Sequence, residues 1–270
     1  MELTLHHTTE YRYAEPASRV IQALRLWPAA CAGQQVRRWQ VSVNGRFLNP
    51  SATDGYANPV ATSQLDGPVS VVRIEVNGVV TTHDTFGVLQ GSAEPLPPEF
   101  FLYETPLTQP DAAIRALVAE FDTPGDMVAR LHALSHRVRD RVDYVPAQTD
   151  VATTAAEALA SGAGVCQDHA HLLAACARSL GFPARYVSGY LCADGDGRAA
   201  ASHAWTEVYV PALGWVGFDA ANRLCPDERY VRIACGRDYR DAAPVRGMRH
   251  GGDTETLEVS VRIGQTQVAQ

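Results

Sequence analysis

Residues 161–186 read SGAGVCQDHAHLLAACARSLGFPARY. Cys166, Ala170, Leu173, Ala177 and Leu180 recur at intervals of four and three, the spacing of one helix face. Gly181 stands where a left-handed residue closes a helix, and Pro183 follows two residues later. The pattern predicts a helix from about Cys166 to Leu180, with Cys166 in its first turn. A helix N-terminus presents unpaired N–H groups and a positive dipole end, which favour a thiolate and can hold an oxyanion. Gly162 and Gly164, just upstream, remove side chains where a substrate backbone would approach. The same residues also suit a buried cysteine at a helix start, with the glycines serving only the turn.

Downstream the period changes from helical to alternating. HAWTEVYV at 203–210 places His203, Trp205, Glu207 and Tyr209 on one face of a strand and Ala204, Thr206, Val208 and Val210 on the other. The second face suits a core and the first a polar, aromatic cleft. GWVGFD at 214–219 reads as the next strand and ends at Asp219. His203 and Asp219 share a face if the connecting loop has an odd number of residues, such as Pro211–Leu213. A cysteine nucleophile needs a base and the base an orienting group, so Cys166, His203 and Asp219 are the candidate site residues.

Upstream the middle of the chain is helical. QPDAAIRALVAEF puts Pro110 in a first turn and Ile114, Leu117, Val118 and Phe121 on one face. Thr123 and Asp126 have capping-box spacing before a second helix, and Thr154 and Glu157 form a better box before a third. Residues 1 to about 105 are strand-rich, with Asn77-Gly78 signalling a hairpin and PLPPEF at 95–100 as the exit. The expected architecture is α+β: a β-rich N-terminal domain over 1–105 and a mixed core over 106–270 that includes a C-terminal strand.

The 270 residues carry a formal net charge of −7, which argues against nucleic acid or an anionic membrane as partner. All 23 basic residues are arginine. Codon bias is the plain explanation for the missing lysine, and the chain then offers no ε-amine for cross-linking. MELTLHHTTEYRY has no secretory pattern, and no run of 18 apolar residues exists. A cytoplasmic protein without membrane spans is expected, its six cysteines reduced. Cys31, Cys176, Cys192, Cys225 and Cys235 read as structural. No cofactor or metal is expected. Cys166, His169 and His171 cluster, but five residues of helix turn His171 about 140° from Cys166. Asp194 and Asp196 in DGDG read as a hairpin turn, not a calcium loop.

The ordered run GAGVCQDHAHLLAACARSLGFPARYVSGYL, then SHAWTEVYVPALGWVGFDAAN and GRDY, resembles the transglutaminase-like superfamily in its bacterial cysteine-protease branch, over about 140–240. His7 to Tyr13 and LRLWP at 24–28 resemble that branch's β-rich N-terminal domain. The resemblance implies a papain-like α+β core, Cys166 as nucleophile, His203 as general base and Asp219 as the orienting carboxylate. It also implies a peptide or protein substrate and a thioester intermediate resolved by water or by an amine. Asp219-Ala-Ala-Asn222 departs from the family's frequent Asp-Pro-Thr-Asn, altering only the turn after the aspartate. Tyr144 and Gln148 are candidates for a second oxyanion donor. A non-catalytic binding module is the remaining alternative, and the oligomeric state is not legible.

Overall fold

The computed structural model describes residues 1–192, 201–252 and 254–265. The expected DGDG turn lies outside them. The elements run β1 (Glu2–Leu24), β2 (Gln34–Val43), β3 (Arg46–Leu48), β4 (Ala52–Thr53), β5 (Pro59–Thr82), α1 (Ala112–Ala119), α2 (Met127–Arg141), β6 (Asp143–Tyr144) and α3 (Ala155–Ser161). They continue with β7 (Ala163–Gly164), α4 (Cys166–Ser179), β8 (Ala184–Leu191), β9 (Ala201–Val210), β10 (Gly214–Phe218), β11 (Tyr230–Gly236), α5 (Tyr239–Ala242), β12 (Val245–Gly251) and β13 (Glu255–Gln265). The architecture is α+β, with antiparallel sheets and a β-rich N-terminal region.

The first sheet has the order β12-β1-β5-β2-β3, with β13 also on β1 and β4 on β5. The C-terminal strand, grouped with the mixed core by sequence order, is hydrogen-bonded instead along β1, from Leu3–Gln265 to Tyr13–Glu255. The second sheet runs β10-β9-β8-β11, and a short parallel pair joins β6 to β7. The inner face of the first sheet, including Leu3, Leu5, Val72, Ile74 and Val76, packs on Tyr186, Tyr190, Ala204 and Ile233 of the second. On that same face of the second sheet, α1, α2 and α3 enclose α4 in a separate core with Val208, Val210 and Phe218.

Several local expectations change. Asn77-Gly78 is not a hairpin but the interior of β5, which pairs through with β1 and β2. The glycine is there for packing: a Cβ at Gly78 would stand 2.1 Å from Cε3 of Trp39. Asp126, not Thr123, caps α2 by accepting from Ala129 N–H, and Asp111 caps α1 one residue after Pro110. The Thr154–Glu157 capping box is present as expected. Helix α4 is buried on every side from Asp168 to Arg178, so its apolar stripe is part of a central helix rather than one wetted face. Cys235, read as structural, is buried in β11.

The face of β9 expected to line a cleft is mostly buried as well. Glu207 is 2% exposed and lies between two arginines. Arg185 Nε donates to its Oε2 at 2.6 Å and Arg232 Nε to its Oε1 at 2.8 Å. Arg185 also reaches Glu94 of the inter-sheet connection at 2.7 Å and lies 4.0 Å from the Trp215 ring centroid. Burial alone would raise the Glu207 carboxyl, but Arg232 and Arg185 hold it down at about 2. Two amides of the first sheet region seal the edge of β11: Gln34 bonds the Arg232 backbone and Asn58 that of Cys235.

A depressed carboxyl stabilises the fold above its ordinary value of 4.5, and that contribution fades as the pH falls toward 2. Glu207→Gln leaves the buried Arg232 guanidinium without its carboxylate partner and Arg185 with Glu94 alone. It is expected to cost about 3–5 kcal/mol, read as a lowered urea midpoint at pH 7.

Candidate active site

The site forms where α4 begins and where β9 runs past its pairing with β10. The connection between β9 and β10 is the three residues 211–213, and the register runs Val210–Gly214 to Thr206–Phe218. The loop count is odd, so the residue after β10, Asp219, falls on the side of His203 and Trp205. His203 Nε2 donates to Asp219 Oδ2 at 2.6 Å. The Cys166 thiol lies near enough to the same ring to act on its charge. Burial opposes the imidazolium, but the hydrogen bond to Asp219, the nearby Cys166 and the charges of both raise His203 to about 10. Trp205 stacks against the ring at 27°, with Tyr230 edge-on to it.

Asp219 is 1% exposed and has more partners than the sequence indicated. Its Oδ2 accepts from Tyr230 O–H at 2.6 Å and Asn222 Nδ2 at 2.7 Å in addition to His203. The backbone N–H of Asn222 donates to Oδ1. Burial would raise this carboxyl, yet these donors, His203 first, hold it below its ordinary value. Asn222 was visible in the motif. Tyr230 was not, because it reaches Asp219 from β11 with no spacing signal in the chain.

The start of α4 has its own support. Asp168 is 1% exposed, and its Oδ2 accepts from Val165 N–H at 2.7 Å and from Thr149 O–H at 2.6 Å. Gly164 lies under that carboxylate: a Cβ there would stand 2.7 Å from Asp168 Oδ2. Gly162 closes α3 in the left-handed conformation, at φ 67°. The two glycines therefore serve a helix end and the seat of Asp168. Thr206 O–H on β9 donates to Ala170 O on α4 at 2.9 Å, which ties the strand of His203 to the helix of Cys166.

Cys166 is half-buried, and β6 lies alongside it through the Tyr144–Gly164 pairing with β7. Burial, then the charge of the nearby Cys166, push the Tyr144 phenol up to about 12. Gln148, the other expected donor, is exposed and lines a surface depression with Thr149, Asp150 and Glu157. His169 and His171 do not converge with Cys166. Both His169 ring nitrogens contact backbone carbonyls, of Val165 and Val142. His171 Nε2 accepts from Tyr239 N–H, and burial lowers its pKa to about 3. Among the described residues no group of three or more His, Cys, Asp or Glu is arranged to hold a metal. Nor is any described helix long and apolar enough to cross a membrane.

Two outcomes follow from this geometry. Asp219→Asn removes the anion that sustains the imidazolium, so the His203 titration midpoint should fall from about 10 by about 1–3 units, measured by imidazole NMR. Gly164→Ala forces Asp168 off Val165 N–H. Alkylation of Cys166 should slow while the far-UV circular dichroism is kept.

A model of the transglutaminase-like superfamily core matches residues 115–220, and one of the bacterial transglutaminase-like N-terminal region matches 3–81. An uncharacterised protein of Mycobacterium leprae is 31% identical over 276 residues, covering 95% of this chain and 96% of its own. A crystal structure from Cytophaga hutchinsonii, described as a candidate cysteine protease, superposes with a TM-score of 0.79 at 21% identity, over 100% of this chain and 92% of that one. A peptide-N(4)-(N-acetyl-beta-glucosaminyl)asparagine amidase of Rattus norvegicus is 35% identical over 75 residues, 27% of this chain and 10% of its own. Members of the matched superfamily are typically cysteine-dependent enzymes. With both regions matched in order and a relative similar over nearly its whole length, the chain belongs to the transglutaminase-like superfamily.

Proposed function

We propose that the protein is a thiol-dependent hydrolase that cleaves a carboxamide or peptide bond of a peptide or protein through Cys166, His203 and Asp219. The observation that carries this reading is the 2.6 Å hydrogen bond from His203 to Asp219 on an imidazole that also faces the thiol at the start of α4. The Cys166 thiolate attacks the carbonyl carbon, and the carbonyl π pair moves to oxygen. The N–H groups of the first turn of α4 and the Tyr144 hydroxyl are the donors available to that oxyanion. Collapse expels the amine, which takes its proton from the His203 imidazolium and leaves a thioester on Cys166. Neutral His203 then removes a proton from water, the hydroxide adds to the thioester, and the acid departs as thiolate and imidazolium are restored. Asp219, held by Tyr230 and Asn222, keeps the ring oriented throughout.

Water is favoured as acceptor by the local similarity to an asparagine amidase. Amine transfer is the second reading, and one observation favours it: a chain without lysine offers no ε-amine of its own as donor. A reducing, cytoplasmic setting suits the free thiols of Cys31, Cys176, Cys225 and Cys235.

Burial pushes the Cys225 thiol up to about 11 and raises Cys31 as well. Iodoacetamide at pH 7 should therefore label Cys166 at least about tenfold faster than either, read by peptide mass mapping. Equal rates would sink the proposed activation. Turnover of a carboxamide peptide should drop by about 10³-fold or more in Cys166→Ala. Ammonia release without uptake of a biotinylated amine identifies hydrolysis, and uptake identifies transfer.

A further inference from the structure

Strand β13 forms an outer edge of the first sheet, and among the described residues only β1 pairs with it. Its inner partner groups are the even residues: Thr254 O already accepts from Ala14 N–H. The odd residues point their N–H and C=O groups away from β1, as the contact of Cys192 Sγ with Ile263 O shows. Among the described residues the edge from Leu257 to Val261 is thus an unpaired ladder. It also carries an apolar row, with Leu257 54% and Val259 52% exposed, continuous with half-buried Val261 and buried Ile263. On the opposite face Glu258 stands directly across from Glu10 of β1, a like-charge pairing, and Arg262 stands across from His6.

We infer that this edge pairs antiparallel with the β13 edge of a second copy of the chain, joining two sheets across a two-fold axis at Ser260. The sequence of the edge is self-complementary in that register and not in its neighbours. Centred on Ser260, Glu258 of each copy faces Arg262 of the other and Val259 faces Val261, and the ladder stops short of Ile263, whose carbonyl Cys192 contacts. Outward-pointing residues then meet outward-pointing residues, so 259 and 261 exchange ladder hydrogen bonds. Centred one residue earlier, Glu258 faces Ser260 and Arg262 faces Thr256. Centred on Glu258, the two glutamates collide. Charge therefore selects the register: Arg12 and Arg73 of the same chain hold Glu10, and the second copy's Arg262 answers Glu258. The interface is isologous, each contact occurring twice. It is independent of the chemistry at Cys166.

Sedimentation velocity on the full chain over micromolar to 100-micromolar loading tests this. The expected species has twice the 29.2 kDa chain mass. Glu258→Arg or Arg262→Glu alone should weaken the dimer by about tenfold or more, since each change acts at two symmetric pairs, and the double reversal should restore it. Val259→Pro should abolish it without disturbing the β1 ladder, because that N–H points outward. Thermal melts show whether each variant keeps the fold. A monomer at all loadings, a dimer indifferent to Val259→Pro, or a double reversal that fails to rescue would each overturn the inference.

Discussion

The carboxylate of Asp168 decides where α4 begins, and the candidate site depends on that start. One oxygen holds both the Val165 N–H before the helix and the Thr149 hydroxyl of the loop after β6. It therefore fixes the cysteine and the strand of Tyr144 with a single charged acceptor. A charge-assisted hydrogen bond in a buried setting is stronger than a neutral one, and the absence of a side chain at Gly164 lets it form. The opposing wall is tied in by Thr206, whose hydroxyl joins β9 to the backbone of α4. Cys166 and His203, 37 positions apart in the chain, are held by these two small contacts rather than by one element.

Behind the histidine the structure places charge in layers. Asp219 gathers three donors on one oxygen, and the Glu207–Arg185–Arg232 cluster lies two positions further along the same face of β9 from Trp205. Both carboxylates stay ionised because donors or cations outweigh burial. The second cluster also joins the halves of the molecule, through Glu94 on the connection and through the Gln34 amide on β11. The first sheet region is accordingly structural support for the face that carries His203. The return of β12 and β13 to β1 locks the chain's two ends together.

Much of this was legible in the sequence for physical reasons that act over short range. The 3.6-residue period and Gly181 marked α4, the two-residue period marked β9, and an odd loop was the condition for Asp219 to share the face of His203, which the three-residue connection meets. Where short-range signals failed, a distant contact had displaced them. Asn77-Gly78 carries a turn signature, but the indole of Trp39 across the β2–β5 pairing occupies the space a Cβ would need. Glu207 has the alternation of a cleft residue, yet two arginines from neighbouring strands make it the centre of a buried cluster.

Residue order therefore determined the secondary structure around the site and the family, and it set the condition of loop parity that the register then met. Tertiary structure alone decided that Tyr230 supports Asp219, that the two glycines seat Asp168 and end α3, and that the last strand belongs to the first sheet. The reason is one of range. Periodicity and capping are set by neighbours a few residues away, whereas a hydrogen bond such as Gln34 to Arg232 spans 198 positions and leaves no trace in local pattern.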